Sequence, residues 1–133
     1  GDWSSDVCSS DLPSFIKLIS NDEKPIIFGD GTEKRNHIHV DDAVNSIITS
    51  LQNKKSGIFN IGGKDSPNNL ELIEMINQEF NKEITPKFED SKNKQYSFVT
   101  DISKAKNELK FEPKINIKEG ISKTVKSFLE IGW

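Results

Sequence analysis

Arginine is almost missing from this chain: Arg35 is the only one, and every other basic residue is lysine. Cysteine occurs once, as Cys8, so an intramolecular disulfide and a thiolate metal cluster are both excluded. The composition suits a reducing compartment, and a cytoplasmic location is expected. Histidine occurs only twice, which leaves too few nitrogen ligands for a hydrolytic metal centre with about three protein ligands. No apolar run approaches the ~20 residues that span a bilayer, so no membrane partner is expected. Basic excess is also lacking. The formal charge is −3, which gives no electrostatic footprint for nucleic acid.

The scarcity of arginine bears on function. Where lysine serves as the default cation, a retained guanidinium points to a planar, bidentate contact with phosphate or carboxylate that an ammonium cannot reproduce. Arg35 is therefore the first candidate binding residue. The bland alternative is an ordinary surface arginine.

The first twelve residues, Gly1 to Leu12, carry no periodic pattern and resemble a translated sequencing adapter. They are read as an artefactual or disordered leader, and residues 13–133 as the domain. On this reading Cys8 is adventitious and the native start is missing. With Asp2, Asp6 and Asp11 set aside, the 21 acidic residues fall to 18 and balance the 18 basic ones.

Hydrophobic spacing predicts a mixed α/β chain. Pro13 to Asp22 reads as a short amphipathic helix, and Lys24 to Phe28 as a strand. A Gly29-Asp30-Gly31 turn follows, and the chain returns as a second strand over Asn36–Val40. Asp41 or Asp42 is expected to cap a helix whose Ala43, Val44, Ile47, Ile48 and Leu51 form one apolar stripe. Gly57–Ile61 reads as a strand, and Ser66-Pro67 as the cap and first turn of a helix running to Asn81. Short strands are expected at Ile84–Phe88 and Tyr96–Thr100. A small helix should start at Asp101 or Ser103, and a last one near Lys118 should present Ile121, Val125, Phe128 and Leu129. The apolar faces of the first and last helices are expected to be left partly exposed.

Two motifs fall short of the chemistry they suggest. His37, His39 and Asp41 would share one face of a strand, and HIHVDD resembles the HxHxDH metal run of metallo-β-lactamase-like hydrolases, but it lacks the final histidine. Gly62-Gly63-Lys64 lacks the earlier glycine of a phosphate loop, Ile58 standing in its place. Neither GxGxxG, GxSxG nor HExxH occurs, and Tyr96, the only tyrosine, has Thr100 four residues on where a catalytic pair would need lysine. No catalytic, cofactor-binding or metal residue is named.

Three blocks in order, KPIIFGDGTEKRNHIHVDDAV, GIFNIGG and TDISKAKNELKFEPKINIKEGI, resemble the C-terminal half of the NAD-dependent epimerase/dehydratase family, the extended short-chain dehydrogenases that act on nucleotide sugars. The resemblance implies the substrate-binding lobe of a longer enzyme, lacking most of its Rossmann sheet. It places Arg35 on the arginine that grips the substrate diphosphate, and Ile26, Ile27 and Phe28 on the strand bordering the base. The segment before Asp101 lacks the second phosphate-binding arginine of many members, which leaves Lys92 and Lys94 as candidate substitutes. Asn36 replaces a usual aspartate, and Lys110 a usual glycine. The resemblance further implies a nucleotide-diphosphate sugar as partner, and NAD or NADP held by the missing N-terminal half of the parent. Homodimerisation through that half is possible on the same basis. By itself the fragment is expected to be inactive. Two other readings stay open: a related dehydrogenase whose substrate is not a nucleotide sugar, and a non-catalytic binding module.

Overall fold

The computed structural model describes residues 11–132, so most of the expected leader, with Cys8, lies outside the described residues. Asp11 and Leu12 open helix α1 (Asp11–Ser20), two residues ahead of Pro13. The elements that follow are β1 (Ile26–Phe28), α2 (Val40–Asn53), α3 (Asn69–Phe80), β2 (Lys87–Glu89), a π-helical turn (Ala105–Leu109) and α4 (Ile117–Ile131). The chain divides into two compact units. The first comprises residues up to Glu33, Asn68–Tyr96 and everything from Ile121 onward; the second comprises Lys34–Pro67 and Ser97–Gly120.

In the first unit α1 packs on α3. Phe15, Ile16 and Ile19 from α1 and Leu72, Ile73 and Ile76 from α3 are buried, as are Ile121 and Val125 of α4. Burial of these side chains at about 1.5–3 kcal/mol each is the main stabilising term of the unit. The expectation that the first helix is left exposed is thus corrected: its apolar face is covered within the chain. The last helix behaves as expected only towards its end, where Leu129 and Ile131 are exposed. The end of α1 is closed by Lys82, whose Nζ donates to the carbonyls of Ile19 (3.0 Å) and Ser20 (2.9 Å) and pairs with Asp22 at 3.0 Å. A cation there meets both the unsatisfied carbonyls and the negative end of the helix dipole. Asn68, not Ser66, caps α3, its Oδ1 accepting from Glu71 N–H at 2.8 Å. Strands β1 and β2 pair in parallel with Ile27 opposite Phe88. After β1 the chain turns through Gly29 and Gly31 at φ +86° and +77°, values that favour glycine.

The core of the second unit is Ala105, Leu109 and Phe111, with Ile38, Phe59, Ile61 and Ile102 packed against it. Of the strands expected here, Asn36–Val40, Gly57–Ile61 and Tyr96–Thr100, none forms. The pairing found instead is one isolated parallel bridge, from Phe98 to Arg35, just ahead of the expected 36–40 strand. A strand exists only through its ladder, and Gly57–Ile61 has no backbone partner of that kind among the described residues. Helix α2 forms as its periodicity predicts, but the stripe turns outward: Val44, Ile47, Ile48 and Leu51 are exposed, while Asp42 and Ser46 are buried.

Candidate functional site

The second unit is fastened by polar side chains. Asn36 is a hub: its Oδ1 accepts from Gly63 N–H (2.8 Å), and its Nδ2 donates to the carbonyls of Gly63 (3.1 Å) and Asp65 (3.3 Å) and to Ser66 Oγ (3.2 Å). That engagement explains why Ser66 is not the cap of α3. Gly63 lies so close to the 36–38 segment that a Cβ there would sit 1.9 Å from the carbonyl oxygen of His37. Glycine at 63 is needed for this backbone approach, and a Cβ at Gly62 would press on the Asn36 side chain, 2.6 Å from its Oδ1.

Neither aspartate of the VDD motif caps α2. The cap is His39, whose Nδ1 accepts from Asp41 N–H at 3.1 Å. The Asp41 carboxylate also lies 3.6 Å from Nδ1, a contact that is an ion pair only when the imidazole is protonated. Asp42 reaches away from its own helix. Its two oxygens accept from Lys114 N–H (3.0 Å) and Ile115 N–H (2.9 Å), just past the Pro113 break. Asp65 does the same for Ile117 N–H at 2.9 Å. His37 is partly buried, and desolvation holds its pKa below the ordinary value of 6.5. Because Val40 already begins a helix, His37, His39 and Asp41 do not alternate along a strand as expected. Among the described residues no three potential ligands gather around a metal position.

Arg35 is held from three sides. Its backbone N–H donates to the Pro67 carbonyl at 3.1 Å. Phe98 N–H donates to Lys34 O (2.8 Å) and Asn36 N–H to Phe98 O (3.2 Å), which closes the bridge. The guanidinium carbon then stands 5.0 Å from the Phe98 ring centroid, within cation–π range, and Nη1 donates to Lys34 O at 3.1 Å. Sequence reasoning missed Phe98, because only the pairing register brings it to Arg35. Nearby, a cavity of about 230 Å³ is lined by Asn36, Lys64, Ser66, Thr100, Lys106 and Glu112 among others.

The remaining sequence candidates belong to the first unit. Ile27 is buried in its core, whereas Ile26 and Phe28 face the other way and are exposed. Lys94 lies over the Tyr96 ring at 5.3 Å, and Lys92 is exposed.

Residues 4–124 match the family described as GDP-mannose 4,6 dehydratase. The chain belongs to this family of NAD-dependent epimerases and dehydratases. It is 38% identical over 114 residues to a UDP-glucuronate 4-epimerase of Thermodesulfobacterium geofontis, covering 84% of this chain and 35% of that protein. A UDP-glucuronic acid decarboxylase 1 of Arabidopsis thaliana is 32% identical over 118 residues, 88% of this chain and 27% of the relative. In structure it resembles a UDP-glucuronic acid 4-epimerase from Bacillus cereus solved with UDP-glucuronic acid and NAD. The TM-score is 0.79 at 30% identity, over 88% of this chain and 40% of that one. The chain thus spans between about a quarter and two fifths of the length of these relatives. No helix among the described residues is long and apolar enough to cross a membrane.

Proposed function

We propose that this chain is the C-terminal, substrate-binding part of an NAD(P)-dependent nucleotide-sugar epimerase or dehydratase, in which Arg35 holds the substrate diphosphate. The carrying observation is the partly buried position of the only arginine in a member of this family, its backbone tied to Pro67 and its guanidinium carbon 5.0 Å from the Phe98 ring centroid. A guanidinium so held offers N–H donors in a rigid fork that matches phosphate oxygens, and it counters the diphosphate charge. Ile26 and Phe28, the exposed pair of β1, are proposed as apolar surface suited to a nucleotide base, with Lys92 and Lys94 as supplementary cations.

The residues present do not fit the nicotinamide cofactor. Of the two glycine turns that could cradle a pyrophosphate, Gly29–Gly31 follows a strand but opens no helix. Gly62-Gly63 is closed against the 36–38 backbone. The hydride chemistry is therefore assigned to residues outside this chain.

The test is calorimetric titration of UDP-, dTDP-, CDP- and GDP-sugars against the protein, Arg35→Ala and Arg35→Lys. One nucleotide class should bind, and Arg35→Ala should weaken it by about 2–3 kcal/mol, the range for a charge-assisted contact. Arg35→Lys should recover only part of this, because an ammonium cannot make the bidentate pair. Unchanged affinity in Arg35→Ala would refute the assignment.

A further inference from the structure

Phe98 belongs to none of the motifs in the sequence, yet backbone and side chain both tie it to Arg35. The two are the members of the one isolated bridge among the described residues. Partners in such a pairing send their side chains to the same face. The backbone bonds Phe98 N–H to Lys34 O and Asn36 N–H to Phe98 O flank Arg35 on both sides, and Lys34 N–H adds a bond to Ser97 Oγ at 3.0 Å. Register and side-chain direction are thereby fixed together. The Phe98 ring takes no part in the hydrophobic core and is 63% exposed, so packing does not account for an aromatic residue there. The guanidinium carbon stands over this ring, 5.0 Å from its centroid.

We propose that Phe98 is the positioning residue of the diphosphate site, a flat platform that fixes the plane of the Arg35 guanidinium before an anion arrives. The proposal rests on the assignment of Arg35 to the diphosphate. Stacking uses the π face of the guanidinium and consumes none of its N–H donors, which lie in the plane. A long side chain that is already oriented loses less freedom when the ligand binds, so affinity rises without a new ligand contact. The bond from Nη1 to Lys34 O, at 3.1 Å, is a second hold on the same guanidinium.

Because Arg35 is the only arginine, its Nε–H is the only such signal in a spectrum of the ¹⁵N-labelled chain. In the unliganded protein that signal should carry a ring-current shift. Phe98→Leu should abolish the shift, and Phe98→Tyr should retain it; an unchanged signal in Phe98→Leu overturns the proposal. Titration with UDP then reads the consequence. Phe98→Leu should weaken UDP binding by about three- to five-fold, as expected for an exposed cation–π contact, with Phe98→Tyr restoring it. In an Arg35→Ala background Phe98→Leu should add nothing. If Arg35→Ala weakens binding and Phe98→Leu does not, the positioning role falls while the diphosphate reading survives. If Phe98→Leu weakens binding equally in the Arg35→Ala background, the ring touches the ligand itself and the positioning role again falls. If UDP does not bind, or Arg35→Ala leaves its affinity unchanged, the diphosphate reading fails and this proposal with it.

Discussion

Replacing Asp42 should do far more damage than replacing Asp41, although the two are adjacent and share one motif. Asp42 is 3% exposed, and its carboxylate takes both Lys114 N–H and Ile115 N–H at 3.0 and 2.9 Å. Hydrogen bonds to a charged acceptor contribute about 1.5–3 kcal/mol each, and part of that is offset by desolvating the carboxylate. Asp42→Ala removes both bonds and leaves two partly buried donors unsatisfied, a net loss of about 3 kcal/mol. Against the roughly 5–15 kcal/mol that holds an ordinary domain together, this would lower the melting temperature by about 10 °C. Asp42→Asn keeps one acceptor oxygen but turns an amide N–H towards the second donor, so about 2 kcal/mol should be lost. Asp41 is 65% exposed, and Asp41→Ala should cost about 1 kcal/mol or less, mainly the favourable charge in the first turn. Urea unfolding followed by circular dichroism gives these differences, provided the m-value is unchanged. Amide exchange supplies a local check, since Lys114 and Ile115 should lose protection in Asp42→Ala. Stability of Asp42→Ala within 1 kcal/mol of the parent, or a larger loss in Asp41→Ala, would refute the reasoning.

Gly63→Ala should cost about 3 kcal/mol or more, seen as loss of soluble protein or a collapsed melting transition, because its Cβ would overlap the His37 carbonyl. Gly120→Ala is the control: its Cβ would meet only ordinary contacts at 3.7 Å inside a helix, and a gain of about 0.5–1 kcal/mol is expected. Lys110 closes the π-helical turn at φ +60°, a conformation that costs a non-glycine residue about 1 kcal/mol, so Lys110→Gly should raise the melting temperature and Lys110→Ala should not. The lowered pKa of His37 means that the unfolded chain binds more protons between the folded value and 6.5. Stability should therefore fall as pH drops through 6.5, and His37→Gln should flatten that slope in melts between pH 7.5 and 5.5.

Helices were legible in the sequence and strands were not, for a physical reason. The four α-helices fall within about two residues of their expected bounds, because helical hydrogen bonds are local and periodicity reports them directly. Their caps were harder to read. An imidazole at His39 and the amide of Asn68 do the work expected of Asp41, Asp42 and Ser66, since the choice among nearby cap residues depends on what else each side chain can reach. Strands depend on partners remote in sequence. Gly57–Ile61 has the composition of a strand and no ladder, while Ile26–Phe28 and Lys87–Glu89 form theirs across a long separation. The candidate site divides along the same line. Arg35 could be found by counting arginines, whereas Phe98 is visible only once the register is known.

Helix α2 shows how far hydrophobic periodicity reaches. Its five-residue stripe identified the helix correctly, yet the face that is buried carries Asp42 and Ser46. Amphipathicity measures that one side differs from the other; it does not say which side the rest of the chain will hold. Here the holding is done by polar groups: Asp42 on the 114–115 backbone, and Asn53 Nδ2 on the Leu109 carbonyl at 2.9 Å at the opposite end. Two directional anchors on one helix, one in its first turn and one at its last residue, fix rotation as well as position, which a purely apolar contact would leave loose. The two adjacent aspartates therefore have separate tasks, and neither is the cap. Asp41 lies on the surface beside the capping imidazole, and Asp42 fixes the orientation of α2 within its unit.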